Sequence, residues 1–166
     1  MADYKIKYAA SATITCTLAS LATSSSRTAG RESTAVDNTS NLYDDALLSG
    51  QVTTGTTPTA QKQIDVWIYS DDGNDLYPDV LDGTDSNETI TSENVRNGAL
   101  KLALSLRVES TSDRIYYFRN ISVAALFGGT MPRKWGVFIA HDTAVNLNST
   151  GSNHELRYTG VTYQSA

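Results

Sequence analysis

Two histidines, a crowd of aspartates and one cysteine are the residues of this chain with chemistry to offer. His141 and His154 each stand directly before an acid, Asp142 and Glu155, a pairing that suits general acid–base work if a nucleophile meets it. No serine sits in the Gly-x-Ser-x-Gly elbow that would supply one, and both histidines read as ordinary surface residues near strand ends. Carboxylates for glycoside hydrolysis meet in space rather than in sequence, so spacing is silent on them. Asp71, Asp72, Asn74, Asp75, Asp79, Asp82 and Asp85 crowd the stretch "SDDGNDLYPDVLDGTDSNE", and oxygen atoms in that number suit calcium. Their spacing departs from the helical calcium loop, which alternates carboxylates before a glycine and closes on a glutamate at the twelfth position. Asp, Asn and Gly also make turns, so residues 70–88 read as a long solvated loop. Cys16 has no partner for an internal disulfide and no Cys or His cluster for zinc around it. In "SATITCTL" it shares the period-two face of Ala12, Ile14 and Leu18, and so is expected to face the core as a small apolar group. "LFGGTMPRKWG" lacks phosphate-loop spacing. The chain reads as no enzyme, with no catalytic, metal or cofactor residue.

Binding surfaces remain. The chain has nine tyrosines and two tryptophans. Trp67 and Tyr69 share a strand face opposite Ile64, Val66 and Ile68, and Tyr77 lies in the acidic loop. The three suit a sugar-stacking platform, or else the cover of a subunit contact or a second sheet face. The net charge is −5 with 13 scattered Lys and Arg, which argues against nucleic acid, whose phosphates need basic clusters. No apolar run approaches the ~20 residues that span a bilayer. "MADYKIKYAA" lacks the apolar stretch of a secretory signal, so the chain is expected to be made in the cytosol, soluble and uncleaved. The sequons at Asn38, Asn87, Asn120 and Asn148 then carry no meaning.

The elements that position these residues are strands. "ALKLALSLRVES" places Leu100, Leu102, Leu104, Leu106 and Val108 on one face, and Lys101, Ser105 and Arg107 on the other. This is the pattern of a strand half in the core and half in water. "QIDVWIYS" repeats it, with Asp65, Trp67 and Tyr69 on the second face. "KWGVFIAHD" is apolar on both faces and reads as a central strand. Further strands fit residues 3–9, 42–53, 114–119 and 155–164, and "TTGTTPTAQ" reads as an exposed turn. Helix signals are short: "SENVRNG" capped by Ser92 and stopped at Gly98, and "SVAALFGG" capped by Ser122 and stopped at Gly128. About eight strands with polar turns in 166 residues predict a single all-β domain. Its expected form is an antiparallel sandwich of jelly-roll type with one or two short helices.

Residues 22–41 fit none of these elements. Val36 is their one sizeable aliphatic residue, and connections of that length in compact domains are uncommon unless functional or disordered. Read as an extended arm, residues 23–41 reach about 60 Å at ~3.3 Å per residue. Arg27, Arg31 and Glu32 then offer charged hydrogen bonds to a partner, and Val36 an apolar anchor.

The stretch "AGRESTAVDNTSNLYDDALLSGQVTTGTTPT", with "IDVWIYS", "YPDVLDGTDSNET" and "MPRKWGVFIAHDTAVNLN", resembles a family of small virion proteins of tailed bacteriophages. These are capsid decoration, or cement, proteins with a jelly-roll body. The resemblance covers residues Leu21 to Tyr163 and brings no catalytic or cofactor residues with it. It implies a structural role on the virion: many copies on the outside of the head, as dimers or trimers, tying major capsid protein subunits together. A carbohydrate-binding module of a phage head or tail fibre, using Trp67, Tyr69 and Tyr77, is the alternative.

Overall fold

The structure, a computed structural model, describes residues 4–165. The first position of the strand expected over 3–9 lies outside them. Among the described residues the chain runs β1 (Tyr4–Tyr8), β2 (Ala12–Ile14), β3 (Ala29–Glu32), β4 (Val36–Asp37), β5 (Asp45–Thr53), β6 (Gln63–Ser70) and β7 (Asn87–Thr89). It continues through α1 (Glu93–Ala99), β8 (Lys101–Arg107), β9 (Ile115–Ser122), α2 (Val123–Leu126), β10 (Lys134–His141) and β11 (Glu155–Ser165). One sheet has the order β1-β11-β5-β9, with β2 further along β11; the other has the order β7-β3-β10-β6-β8, with β4 further along β10. All pairings are antiparallel.

Taking β1 with β2 as one interrupted strand and β3 with β4 as another leaves eight principal strands, β7 being an extra edge. The first sheet then reads first, eighth, third, sixth, and the second reads second, seventh, fourth, fifth. That is the double Greek key of a jelly roll, as the strand pattern predicts. Leu48, Val52, Phe118 and Leu156 of the first sheet meet Ile64, Val66, Ile68, Trp135, Val137 and Ile139 of the second in the main core.

The second sheet is also buried on its outer side. Trp67, Tyr69, Phe138 and Ala140 face outward from it and are roofed by Leu81, Ile90 and Leu100 of the connection between β6 and β8. Two-sided burial of "KWGVFIAHD" follows its composition. For "QIDVWIYS" it corrects the expectation of a wet face: Asp65, Trp67 and Tyr69 are all buried. The roof is not solvated loop alone. Ser92 caps α1 by accepting from the Val95 amide at 3.2 Å, and the helix runs through Gly98 to Ala99. In α2, Ser122 accepts from the Ala125 amide at 3.1 Å, and Gly128, at φ +73, turns the chain out of the helix.

In β8 the alternation of leucines breaks. The register slips between Val66 and Trp67 of the neighbouring strand, so Ala103 and Leu104 both pack on the main core while Leu100 joins the outer cluster. A bulge moves one extra residue across the sheet, and Leu102 is left 45% exposed opposite Trp67.

Residues 22–41 form no arm. Their middle is β3 and β4, laid along β10 with Arg31 opposite Ile139 and Val36 opposite Trp135. Their ends are pinned by the Ser24 amide on His141 O at 2.8 Å and the Asn38 amide on Arg133 O at 2.9 Å. A polar segment joins a sheet because the ladder is made by backbone groups, whatever the side chains.

Candidate functional site

The four residues assigned to gripping a partner are occupied within the fold. Arg27 pairs with Asp65 at 2.7 Å and Asp142 at 3.0 Å, and Arg31 pairs with Asp85 at 2.6 Å. Val36 packs against the main core. Glu32 is fully buried and accepts from the amides of Gly83 at 2.6 Å and Asp82 at 3.1 Å, tying the roof to the sheet. Burial pushes its carboxyl above the ordinary range, and the two amides oppose that shift. Glu32→Ala leaves both amides without an acceptor and is expected to cost about 1–3 kcal/mol. The check is urea unfolding together with faster proteolytic nicking within 71–91.

The aromatic trio forms no platform. Trp67 lies beneath the Arg96 guanidinium, 4.8 Å from its ring centroid. Tyr69 is fully buried and donates its hydroxyl to Ser33 O at 2.9 Å. Tyr77, half-buried, meets the Tyr69 ring edge-on at 5.6 Å. A sugar ring has no access to the faces of Trp67 and Tyr69; both are structural.

The aspartates of the acidic loop are likewise engaged with the chain itself. Asp71 and Asp75 hold Arg133 at 3.0 and 2.7 Å, Asp72 accepts from the Asn74 amide at 2.8 Å, and Asp79 accepts from the Thr91 amide at 2.6 Å. Among the described residues no group of three His, Cys, Asp or Glu is placed to hold a metal ion. Cys16 packs against the main core, and burial pushes its thiol well up, out of reach of the thiolate at neutral pH.

Both histidines are buried, which corrects their reading as surface residues. Nε2 of His154 lies 2.9 Å from Asn148 O, so it carries the proton, and Nδ1 accepts from the Thr53 amide. In His141 Nε2 lies 3.1 Å from Leu21 O and Nδ1 lies 2.9 Å from the Thr143 hydroxyl. Burial holds both pKa values below the ordinary histidine range. The unfolded chain therefore binds more protons as pH falls below about 6.5, and the histidine contribution to stability is lost from there down through their folded pKa values. Glu32 works in the opposite sense, since its raised pKa favours the folded state as it protonates. Thermal stability is expected to fall between pH 7 and 5, with a shallower slope in His154→Asn. Imidazole resonances titrating at or above 6.5 in the folded protein would contradict this.

What the fold leaves available is the outer side of the first sheet. The second sheet has its roof, while this one presents Leu47, Ser49 and Gln51 of β5, Arg157 and Thr159 of β11, and Tyr117 and Arg119 of β9, all half-buried or exposed. A hollow of 180 Å³ lies among Ser49, Arg119, Arg157 and Thr159. The Arg119 guanidinium sits 4.9 Å from the Tyr117 ring centroid.

At one end this face runs into a two-stranded ribbon. Every residue of β1 is exposed, and among the described residues its only strand partner is the last part of β11. The period of two places Tyr4, Ile6 and Tyr8 on one side, with Ile6 opposite Tyr163 and Tyr8 opposite Val161. Tyr4 is 76% exposed, Ile6 55%, Tyr8 60% and Tyr163 59%. Lys5 and Lys7 occupy the other side. An apolar row of this kind marks a contact surface, and a lone two-stranded ribbon is marginal without something to pack on. The alternation "YKIKY" marks a strand at the sequence level, and it carries no sign that the apolar side is left uncovered. Compared with known proteins, the chain matches no family model, no curated protein and no solved structure.

Proposed function

We propose that this chain is a docking protein of a virus particle, a capsid decoration protein of a tailed bacteriophage. In many copies, as dimers or trimers, it binds the outside of the head and ties major capsid protein subunits together. The observation that carries this reading is the uncovered apolar ribbon, continuous with the open outer face of the first sheet. The likeness of residues 21–163 to phage cement proteins supplies the partner. A stiff two-layer body suits a clamp, and repetition on a lattice makes weak single contacts sufficient, because each docked copy holds its neighbours' contacts at high effective concentration.

The test is co-sedimentation with emptied heads of the phage that encodes the chain. The full chain is expected to pellet with them at saturable stoichiometry, and removal of residues 1–8 to abolish most of that binding while the melting curve of the body is kept. Deleting Ser24 to Asn38 is expected to unfold the protein instead, since that removes β3 and β4. A full chain that stays in the supernatant would overturn the reading.

A further inference from the structure

The ribbon leaves one strand edge open, and the phase of its ladder tells which groups that edge offers. The Ala9 amide donates to Gly160 O at 2.9 Å. With Lys7 opposite Thr162 and Lys5 opposite Gln164, the odd-numbered residues bond to β11. The N–H and C=O groups of Tyr4, Ile6 and Tyr8 therefore point away from it. β1 ends the sheet order, and among the described residues nothing takes these groups. The other edge of the ribbon is occupied as far as the Tyr163 amide: β5 stops at Asp45 opposite Val161, the Asp44 amide donates to Val161 O at 2.8 Å, and the Asp44 carboxylate accepts from the Tyr163 amide at 2.7 Å.

The chemistry of this edge selects against a second copy. Antiparallel pairing of two β1 strands about Ile6 places Lys5 of each copy opposite Lys7 of the other, and like charges directly opposite destabilise a ladder. An in-register parallel pair stacks lysine beside lysine. Lysine on an edge strand is a common device against such self-pairing. Among the described residues neither Lys5 nor Lys7 has an ion-pair partner. On a chain of net charge −5, the ribbon is thus a local basic strip backed by an apolar row.

We propose that the open edge of β1 takes an extended segment of a partner protein as an added strand. Apolar residues of that segment lie beside Tyr4, Ile6 and Tyr8, and Asp or Glu at the alternate positions lies beside Lys5 and Lys7. Backbone hydrogen bonds give such strand addition its affinity, and the alternating side chains give its specificity. The inference rests on the docking reading and names the chemistry of its partner.

Two synthetic twelve-residue peptides test it, one alternating valine with glutamate and one alternating valine with lysine. Each is titrated into the full chain while amide hydrogen exchange is followed at Tyr4, Ile6 and Tyr8. The acidic peptide is expected to slow exchange at those three amides and to bind roughly tenfold or more tightly than the basic one, from two opposed charge pairs. Lys5→Glu with Lys7→Glu is expected to reverse the preference. Ile6→Pro removes an outward N–H without touching the bonds to β11 and is expected to weaken the acidic peptide about tenfold, whereas Ile6→Val binds like the parent. Because β1 buries no side chain, all of these variants should melt with the parent. Equal binding of the two peptides, or binding of neither, overturns the inference; so does a dimer in sedimentation that Ile6→Pro dissociates, which assigns the edge to a second copy. The head assay separates the two readings. Heads that bind the parent, the charge-reversed variant and Ile6→Pro equally well overturn the edge inference and leave decoration standing. Heads that bind none of them overturn decoration, and the peptides then decide the edge alone.

Discussion

Trp135→Ala is expected to lower the stability of this protein by about 3–5 kcal/mol, a large share of what a domain of this size possesses. Trp135 is fully buried in the main core, on the strand that carries β3, β4 and β6. It lies opposite Ser70 on one side and Val36 on the other, and its ring meets Tyr158 of the facing sheet edge-on at 5.7 Å. Truncation therefore opens a cavity touching both sheets, at a place where three strands prevent collapse. Among the described residues the indole N–H has no hydrogen-bond partner. Trp135→Phe, which removes that orphaned donor along with part of the ring, should cost clearly less than the alanine variant. Urea unfolding followed by circular dichroism gives both numbers. An alanine variant within about 1 kcal/mol of the parent would contradict the two-sheet core.

Gly50→Val should cost about 3 kcal/mol or more, although valine is the better strand former. A Cβ at Gly50 meets the Phe118 ring at 2.5 Å, the Glu155 carbonyl oxygen at 2.6 Å and Leu156 at 2.8 Å. Phe118 and Leu156 are core side chains, and the Glu155 oxygen belongs to the central strand β11. None of the three can swing aside, so accommodation requires the sheet itself to open. The register irregularity of β5 against β9 lies between Leu48 and this residue, and Arg119 donates to its carbonyl oxygen at 2.5 Å. Thermal unfolding checks the prediction: the variant is expected to melt far below the parent, and Gly98→Val, where a Cβ meets open space, is expected to move the midpoint much less.

The candidate site was less legible than the fold. Arg27, Arg31 and Glu32 stood out because charged residues in an apolar-poor segment look available. Their partners Asp65, Asp142, Asp85 and the amides of residues 82 and 83 lie 38 to 115 positions away, and no local pattern announces them. Trp67 and Tyr69 fit a sugar platform as well as the cover of a second sheet face for a related reason. Alternation along β6 separates two faces, and it does not say that a segment some twenty residues later folds over the second one. The uncovered ribbon has no sequence signature for the converse reason: its apolar residues look like any strand's core face.

The sequence by itself determined the all-β class, the approximate places of the long strands, and the capped starts of both short helices. Those signals are local: a period of two in apolar residues, and a serine oxygen three residues from the amide it accepts. Only the tertiary structure decided which apolar face is covered. It roofed the second sheet, drew residues 22–41 into that sheet, displaced the leucines of β8 by a bulge and left β1 uncovered. Side-chain polarity states a preference for being buried, whereas burial itself requires another part of the chain to arrive. That arrival depends on backbone pairing between segments far apart, in which polar and apolar residues take equal part.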